Sequence, residues 1–312
     1  DVPRFAFSVP SLNREAPLKR YYWLVLPQGM KNSLTICQRS VAHVLSPIRS
    51  LFPDAVIHHY MDDILICASE KTYLDVTVKR TIEAIEEAGL EICEDKVQYT
   101  SPWTYLGFQI HERTIVPQQL AIQDDPKTLR YLHKLCGSIN WIRPLLGITT
   151  EDLAPLFSLL CGSEDLDSPR TLTPEARDSI TKVQEALSSC QAHRVEPSLP
   201  LQFTVLGKGP CFYGLIFQWD PQLRDPLLIL EWIFTSNQPT KTISIPQEMM
   251  ARLIKKARTL LRSLAGCEFT CIYLPLTTGD LEHLLQTNKS LQFNLDSYPG
   301  QISIHVPKHR LF

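Results

Sequence analysis

The sequence has no C-x-x-C pair. Its nine cysteines are scattered and odd in number, and the closest two are Cys267 and Cys271. That spacing excludes a disulfide framework and the usual zinc patterns, and it fits a reducing, cytoplasmic setting. No apolar stretch reaches the ~18 residues of a membrane span; the longest candidate, PLLILEWIF, has strand length and is broken by Glu231. A secretory leader is missing, and residue 1 is Asp rather than Met, so the chain is read as processed or as a piece of something longer. An excess of one charge is missing too: 31 Lys and Arg face 33 Asp and Glu, a net charge of -2. That neither requires nor excludes a nucleic-acid partner, because a basic groove can sit inside a neutral total. Repeats and low-complexity tracts are absent.

What is present is a globular composition, 44% hydrophobic and 21% charged. At ~150 residues per domain the chain predicts two or three domains. The texture changes twice. Residues 1 to about 112 alternate short apolar runs with turns, residues 113 to about 196 are helical, and residues 197–312 return to mixed strands and helices after the polar link EPSLP. RFAFSVP and YYWLVLP are strand-like, each closed by Pro. KNSLTICQRSVAHVLSPI predicts a helix with Ile36, Ser40, Val41, Val44 and Leu45 on one face. Thr72–Ala88 predicts another, with a stripe of Leu74, Val78, Ile82 and Ile85 and a stop at Gly89. The helical section offers three helices. The first has Leu129, Leu132, Cys136, Ile139 and Ile142 on its core face; the last is capped by Thr173, with Pro174 in its first turn. LQFTVLG, FYGLIFQW, LLILEWIF and CIYLPL read as strands around the helix QEMMARLIKKARTLLRSL, a small α/β layer. The fold class expected is α+β.

Between two apolar strands, IHHYMDDILI places two adjacent aspartates, Asp62 and Asp63. Adjacent carboxylates repel one another and are costly to bury. One reading is a hairpin turn whose charges stay in solvent. The other is a metal site, since hard Mg²⁺ takes carboxylate and phosphate oxygens and offsets the repulsion.

The turn has company. YMDD follows LPQGMKNSLTICQ by a helix length and precedes AGLEICEDK and WTYLGFQI. This ordered set resembles the reverse transcriptase of retroviral Pol polyproteins. LPQGMKNSLTICQ and INWIRPLLGITT are most similar to betaretroviruses and K-type (class II) endogenous retroviruses. The resemblance implies a right-hand polymerase: partial fingers and palm with the YMDD hairpin and primer grip over 1–112, a helical thumb over 113–196, and a degenerate RNase H-like connection over 197–312. It implies an RNA-directed DNA polymerase, in which a primer 3′-hydroxyl attacks the α-phosphate of a dNTP between two Mg²⁺ ions. By the same resemblance Asp62 is a metal ligand and Asp63 its auxiliary partner. Met61 lies near the nascent base pair and Tyr60 near the primer end, while Gln28 and Gly29 lie beneath the incoming nucleotide. Lys96 is either the group that protonates leaving pyrophosphate or a solvated lysine. Tyr105, Leu106 and Gly107 match the primer grip, and without the family they are a hairpin edge. His133, Gly137 and Trp141 recur every four residues opposite the core stripe; the family puts them in the template–primer minor groove, and the alternative is helix packing. The implied partners are an RNA or DNA template–primer duplex, dNTP and the remainder of Pol, its fingers and RNase H domain. No membrane is implied, and a dimer is left open.

Some positions depart from the family. The third catalytic aspartate belongs on a strand ahead of LPQG; Asp1 has the wrong spacing for it, so that residue is expected upstream of this chain. Leu34 and His133 stand where Pro and Gln are usual. Gly207 stands where a nuclease carries Asp, and Glu248 alone cannot hold two metals. Arg252, Lys255, Lys256 and Arg262 form either a phosphate track or a solvated helix face. The rival to a polymerase is a catalytically dead, nucleic-acid-binding or scaffolding product of the same Pol. A third option, an unrelated α+β protein with a chance YMDD turn, requires Gln28 to lie far from Asp62.

Overall fold

A computed structural model describes residues 6–9, 19–23, 25–27, 29–118, 127–162, 164–207, 211–235 and 246–312. Asp1 and Gln28 lie outside the described residues. The chain forms two compact units, Asp1–Tyr99 and Thr100–Phe312.

In the first unit, β1 (Ala6–Val9) pairs antiparallel with β2 (Lys19–Tyr22), so the second strand starts ahead of the YYWLVLP run. Helix α1 (Ser33–Leu51) and α2 (Lys71–Glu87) enclose a small core with the hairpin β3 (Val56–Tyr60) and β4 (Asp63–Cys67). The α1 core face is Cys37, Val41, Val44, Leu45 and Ile48. Ile36 and Ser40, expected on it, are exposed, because the face begins one residue later. On α2 the most buried line is Thr77, Thr81 and Ile85, flanked by the expected Leu74, Val78 and Ile82. The threonines tolerate burial because each hydroxyl donates one turn back, Thr77 to the Tyr73 carbonyl and Thr81 to the Thr77 carbonyl, both at 2.8 Å.

In the second unit, β5 (Trp103–Tyr105), β6 (Phe108–Ile110), β7 (Thr114–Pro117) and β8 (Ala192–His193) form an antiparallel sheet. Three helices lie between β7 and β8: α3 (Leu129–Leu146), α4 (Thr150–Ser158) and α5 (Pro174–Ser189). The expected α3 stripe is the buried one, and it packs with Leu153, Leu156, Ile180 and Val183. Thr149 and Asp152 close a capping box at α4, and Thr173 caps α5, its hydroxyl accepting from the Ala176 amide.

A five-stranded sheet follows in the order β11-β10-β9-β12-β13, comprising β9 (Gln202–Leu206), β10 (Tyr213–Trp219), β11 (Leu227–Phe234), β12 (Cys271–Tyr273) and β13 (Gln301–Ser303). Its first three strands pair antiparallel, while β12 runs parallel to β9 and β13 parallel to β12. Helix α6 (Pro246–Ala265), with α7 (Thr278–Thr287) and α8 (Lys289–Asp296), completes the layer; Met250, Leu253, Ile254 and Ala257 of α6 sit on Phe203, Val205 and Ile233. The link at 196–200 is anchored by buried Gln218, whose amide accepts from the Glu196 amide and donates to the Glu196 and Leu199 carbonyls at 2.7–2.8 Å. All nine cysteines are free, and burial pushes the Cys136 thiol up to about 12. Among the described residues no helix is long and apolar enough to cross a membrane.

Candidate functional site

The β3–β4 hairpin turns over two residues. Tyr60 pairs with Asp63, so Met61 and Asp62 occupy the tip. Met61 has φ 55, a left-handed conformation that a side chain rarely adopts, whereas Asp62 has none. That is the pattern of a type II′ turn, which normally carries Gly at its first central position. Strain of this kind costs about 1–3 kcal/mol and persists where the surroundings hold it. Asp62, at the tip, and Asp63, the first residue of β4, are both exposed. Tyr60 is 43% exposed and Met61 half-buried.

The surroundings that hold the turn come from α1. Gln38 Oε1 accepts from the Met61 amide at 2.6 Å, while its Nε2 donates to the His59 carbonyl at 3.4 Å. Arg49 donates through Nε and Nη2 to the Ile57 carbonyl at 3.0 and 2.9 Å, and Nη2 also meets His59 Nδ1 at 2.9 Å. A guanidinium only donates, so Nδ1 accepts; Nε2 then carries the hydrogen and faces the Gln38 carbonyl at 3.3 Å. Gln38 and His59 stand inside LPQGMKNSLTICQ and IHHYMDDILI, but motif reading assigns no role to them or to Arg49. The signal available was a polar line, Gln38 and Arg49, on an otherwise amphipathic helix just ahead of the YMDD strand.

Of the other expected residues in this unit, Gly29 is exposed with φ 82, so a left-handed backbone explains the glycine. Lys96 closes a short 3-10 turn (Glu94–Lys96); it is exposed, and its ammonium makes no ion pair among the described residues.

In the second unit, Tyr105 pairs with Phe108, so Leu106 and Gly107 form another two-residue tip. Both are left-handed, φ 50 and 82, as in a type I′ turn. Helix α3 braces this tip: Trp141 Nε1 donates to the Leu106 carbonyl at 2.9 Å, and the Trp141 ring lies stacked 6.5 Å from Phe108. His133, Gly137 and Trp141 share the exposed face of α3. A Cβ at Gly137 would meet nothing within 4 Å, so no packing within the fold requires glycine there.

Three family profiles match the chain in order: "Reverse transcriptase (RNA-dependent DNA polymerase)" over 1–110, "Reverse transcriptase thumb domain" over 117–181, and "ERVK-8-like, RNaseH-like domain" over 211–312. The Gag-Pro-Pol polyprotein of squirrel monkey retrovirus is 37% identical over 98% of the chain. The chain is a homologue of retroviral Pol reverse transcriptases. The Gag-Pro-Pol polyprotein of sheep pulmonary adenomatosis virus is 36% identical over 100% of the chain, and the Pol-related polyprotein of the mouse intracisternal A-particle MIA14 is 36% identical over 99%. The chain spans 16%, 18% and 35% of the lengths of these three relatives.

Just ahead of the stretch of this reverse transcriptase homologue that matches the RNase H-like profile, Gly207 has φ 89, and a Cβ there would stand 2.3 Å from the Cys211 carbonyl oxygen. No aspartate fits that position. Glu248 lies 3.9 Å from Arg252, and no group of three or more potential metal ligands occurs among the described residues. Lys256 donates to the Phe234 carbonyl at 2.7 Å, and Arg262 pairs with Glu268. Four of the five basic α6 residues, Arg252, Lys256, Arg258 and Arg262, are therefore engaged within the domain. That arrangement suits a solvated helix face better than a phosphate track.

Proposed function

We propose that the chain is the polymerase-bearing part of a retroviral Pol and acts as an RNA-directed DNA polymerase, joining dNTPs to a primer. The observation that carries this reading is the strained YMDD tip, held from α1 with both carboxylates facing solvent, inside the stretch that matches the reverse transcriptase profile. Strain kept in place by dedicated partners is a mark of a functional turn.

Asp62 and Asp63 offer oxygen ligands at an open tip, which suits a hard divalent cation that keeps water and shares substrate phosphates. When bound there, Mg²⁺ supplies charge neutralisation at the phosphates. The chain's own residues do the rest. Asp62 is the principal ligand and Asp63 its auxiliary. Tyr60 and Met61 flank the primer end and the nascent pair. Gly29, with Gln28, lets backbone approach the nucleotide. Lys96, free of ion pairs among the described residues, protonates the leaving pyrophosphate. Tyr105, Leu106 and Gly107 grip the primer, and the exposed stripe His133, Gly137, Trp141 meets the duplex groove. The unexplained mid-helix glycine supports that last role, since a glycine costs about 1 kcal/mol there. In this reading residues 1–112 are partial fingers and palm, 113–196 thumb and 197–312 connection, and the partners are a template–primer duplex, dNTP and the remainder of Pol.

A non-catalytic, nucleic-acid-binding role is the second reading; the two-carboxylate site favours it, because no third potential ligand joins Asp62 and Asp63 among the described residues. Primer extension with Mg²⁺ and dNTPs on a primed RNA template, for wild type and Asp62→Asn, decides between them. Extension that survives the substitution sinks the metal role. No extension by either protein, with salt-sensitive template binding retained, favours the second reading.

A further inference from the structure

The hydrogen bonds beneath the YMDD turn form a two-tier arrangement. In the upper tier, the Gln38 side chain accepts from the Met61 amide and donates to the His59 carbonyl. Accepting at one end fixes the amide's orientation, so its nitrogen must point at His59. In the lower tier, Arg49 binds the Ile57 carbonyl and the His59 ring, and that ring returns to the Gln38 carbonyl. Ile57 and His59 lie on the same face of β3, two residues apart, so one guanidinium holds both. All three polar side chains are half-buried, where a fixed hydrogen bond outweighs a solvent one. The chain needs such a brace because Met61 is left-handed without being glycine. Released, the turn has a lower-energy backbone available, and the adjacent Asp62 carboxylate would move with it.

We propose that Arg49 and His59 are positioning residues that act through Gln38: they set the Met61–Asp62 backbone and so the stance of the Asp62 carboxylate. The inference deepens the polymerase reading and rests on it for the role of Asp62. A merely structural role would tie α1 to β3 without singling out the turn.

Amide exchange measured by NMR on the full chain tests this, with Mn²⁺ as the metal probe. Gln38→Leu is expected to lower protection of the Met61 amide about five- to tenfold, the loss of one hydrogen bond, while the β3–β4 ladder amides keep theirs. His59→Phe and Arg49→Met shift it in the same direction by less. His59→Gln, which can still accept from Arg49 and donate to the Gln38 carbonyl, restores it, and Arg49→Lys gives a milder variant should Arg49→Met fold poorly. Gln38→Leu should also weaken Mn²⁺ broadening at Asp62 severalfold. Unchanged Met61 protection in Gln38→Leu overturns the brace. Ladder amides falling equally in every variant, or Mn²⁺ broadening unchanged in Gln38→Leu, overturns the positioning role. Asp62→Asn separates the two layers: if Mn²⁺ broadening survives it, the metal reading fails, while Met61 protection still reports on the brace.

Discussion

Two hairpin tips in this chain share one backbone problem and solve it with different chemistry. Met61 and Leu106 both open a two-residue turn in a left-handed conformation, φ 55 and 50, although neither is glycine. Each is held by a side chain from a helix, but the polarity is reversed. At Met61 an amide oxygen from Gln38 accepts from the backbone N–H; at Leu106 the indole N–H of Trp141 donates to the backbone C=O. The first tip continues into two carboxylates. The second continues into Gly107, which takes the second left-handed position at little steric cost. The charged tip is braced by a small polar network. The apolar tip is braced by an aromatic ring that also packs on Phe108. The same left-handed backbone is thus held by an acceptor at one tip and by a donor at the other.

The largest test of this contrast is Asp62→Asn. Mg²⁺-dependent primer extension should fall by ~100-fold or more, as when a preorganised charge partner is removed. Urea unfolding should move by less than about 0.5 kcal/mol, because the carboxylate is exposed. The second turn should behave the other way. Trp141→Ala is expected to destabilise by about 2 kcal/mol, one hydrogen bond plus an aromatic contact, and Trp141→Phe by about 1 kcal/mol, both read from urea midpoints. A smaller change sharpens the groove reading. Gly137→Ala should stabilise the chain by up to about 1 kcal/mol, since its Cβ meets open space. The same substitution should weaken template–primer binding in a fluorescence titration; stabilisation with unchanged binding would leave Gly137 without a contact role.

The smallest effect concerns the bundle that carries Trp141. Burial alone would raise the Asp152 carboxyl, but hydrogen bonds from Lys182 and Thr149 outweigh it and hold it below the ordinary carboxylate value. A depressed folded value means stabilisation present above the unfolded value of ~3.9 and lost as pH falls through the folded one. Lys182 is 57% exposed, so solvent screening keeps the contribution small. Stability of wild type minus Asp152→Asn, followed from pH 7 down to 3, should shrink below pH ~4.

Much of the fold was legible because it follows from local pattern. The α3 stripe from Leu129 to Ile142, the Thr173 cap and four of the five strands of the last sheet, all but β13, rest on periodicity or capping chemistry within a few residues. The misses have equally physical causes. Thr77 and Thr81 read as polar, yet they sit at the α2 core because their hydroxyls are satisfied by the turn below. The α1 face was placed one residue early, because its burial is set by the hairpin it meets. At the candidate site, the motif residues were readable as a string, whereas the bracing contacts of Gln38, Arg49 and His59 were not.

The sequence by itself determined most of the order of elements, the amphipathic faces of the thumb helices, the two aspartates at a hairpin turn and the kinship with retroviral Pol. Each of these is written in neighbouring residues or in the ordered spacing of short phrases. Only the tertiary structure decided which side chains hold the tips. Gln38 reaches Met61 across 23 residues and Trp141 reaches Leu106 across 35. A hydrogen bond of that kind depends on where two distant elements pack, and no local period encodes it.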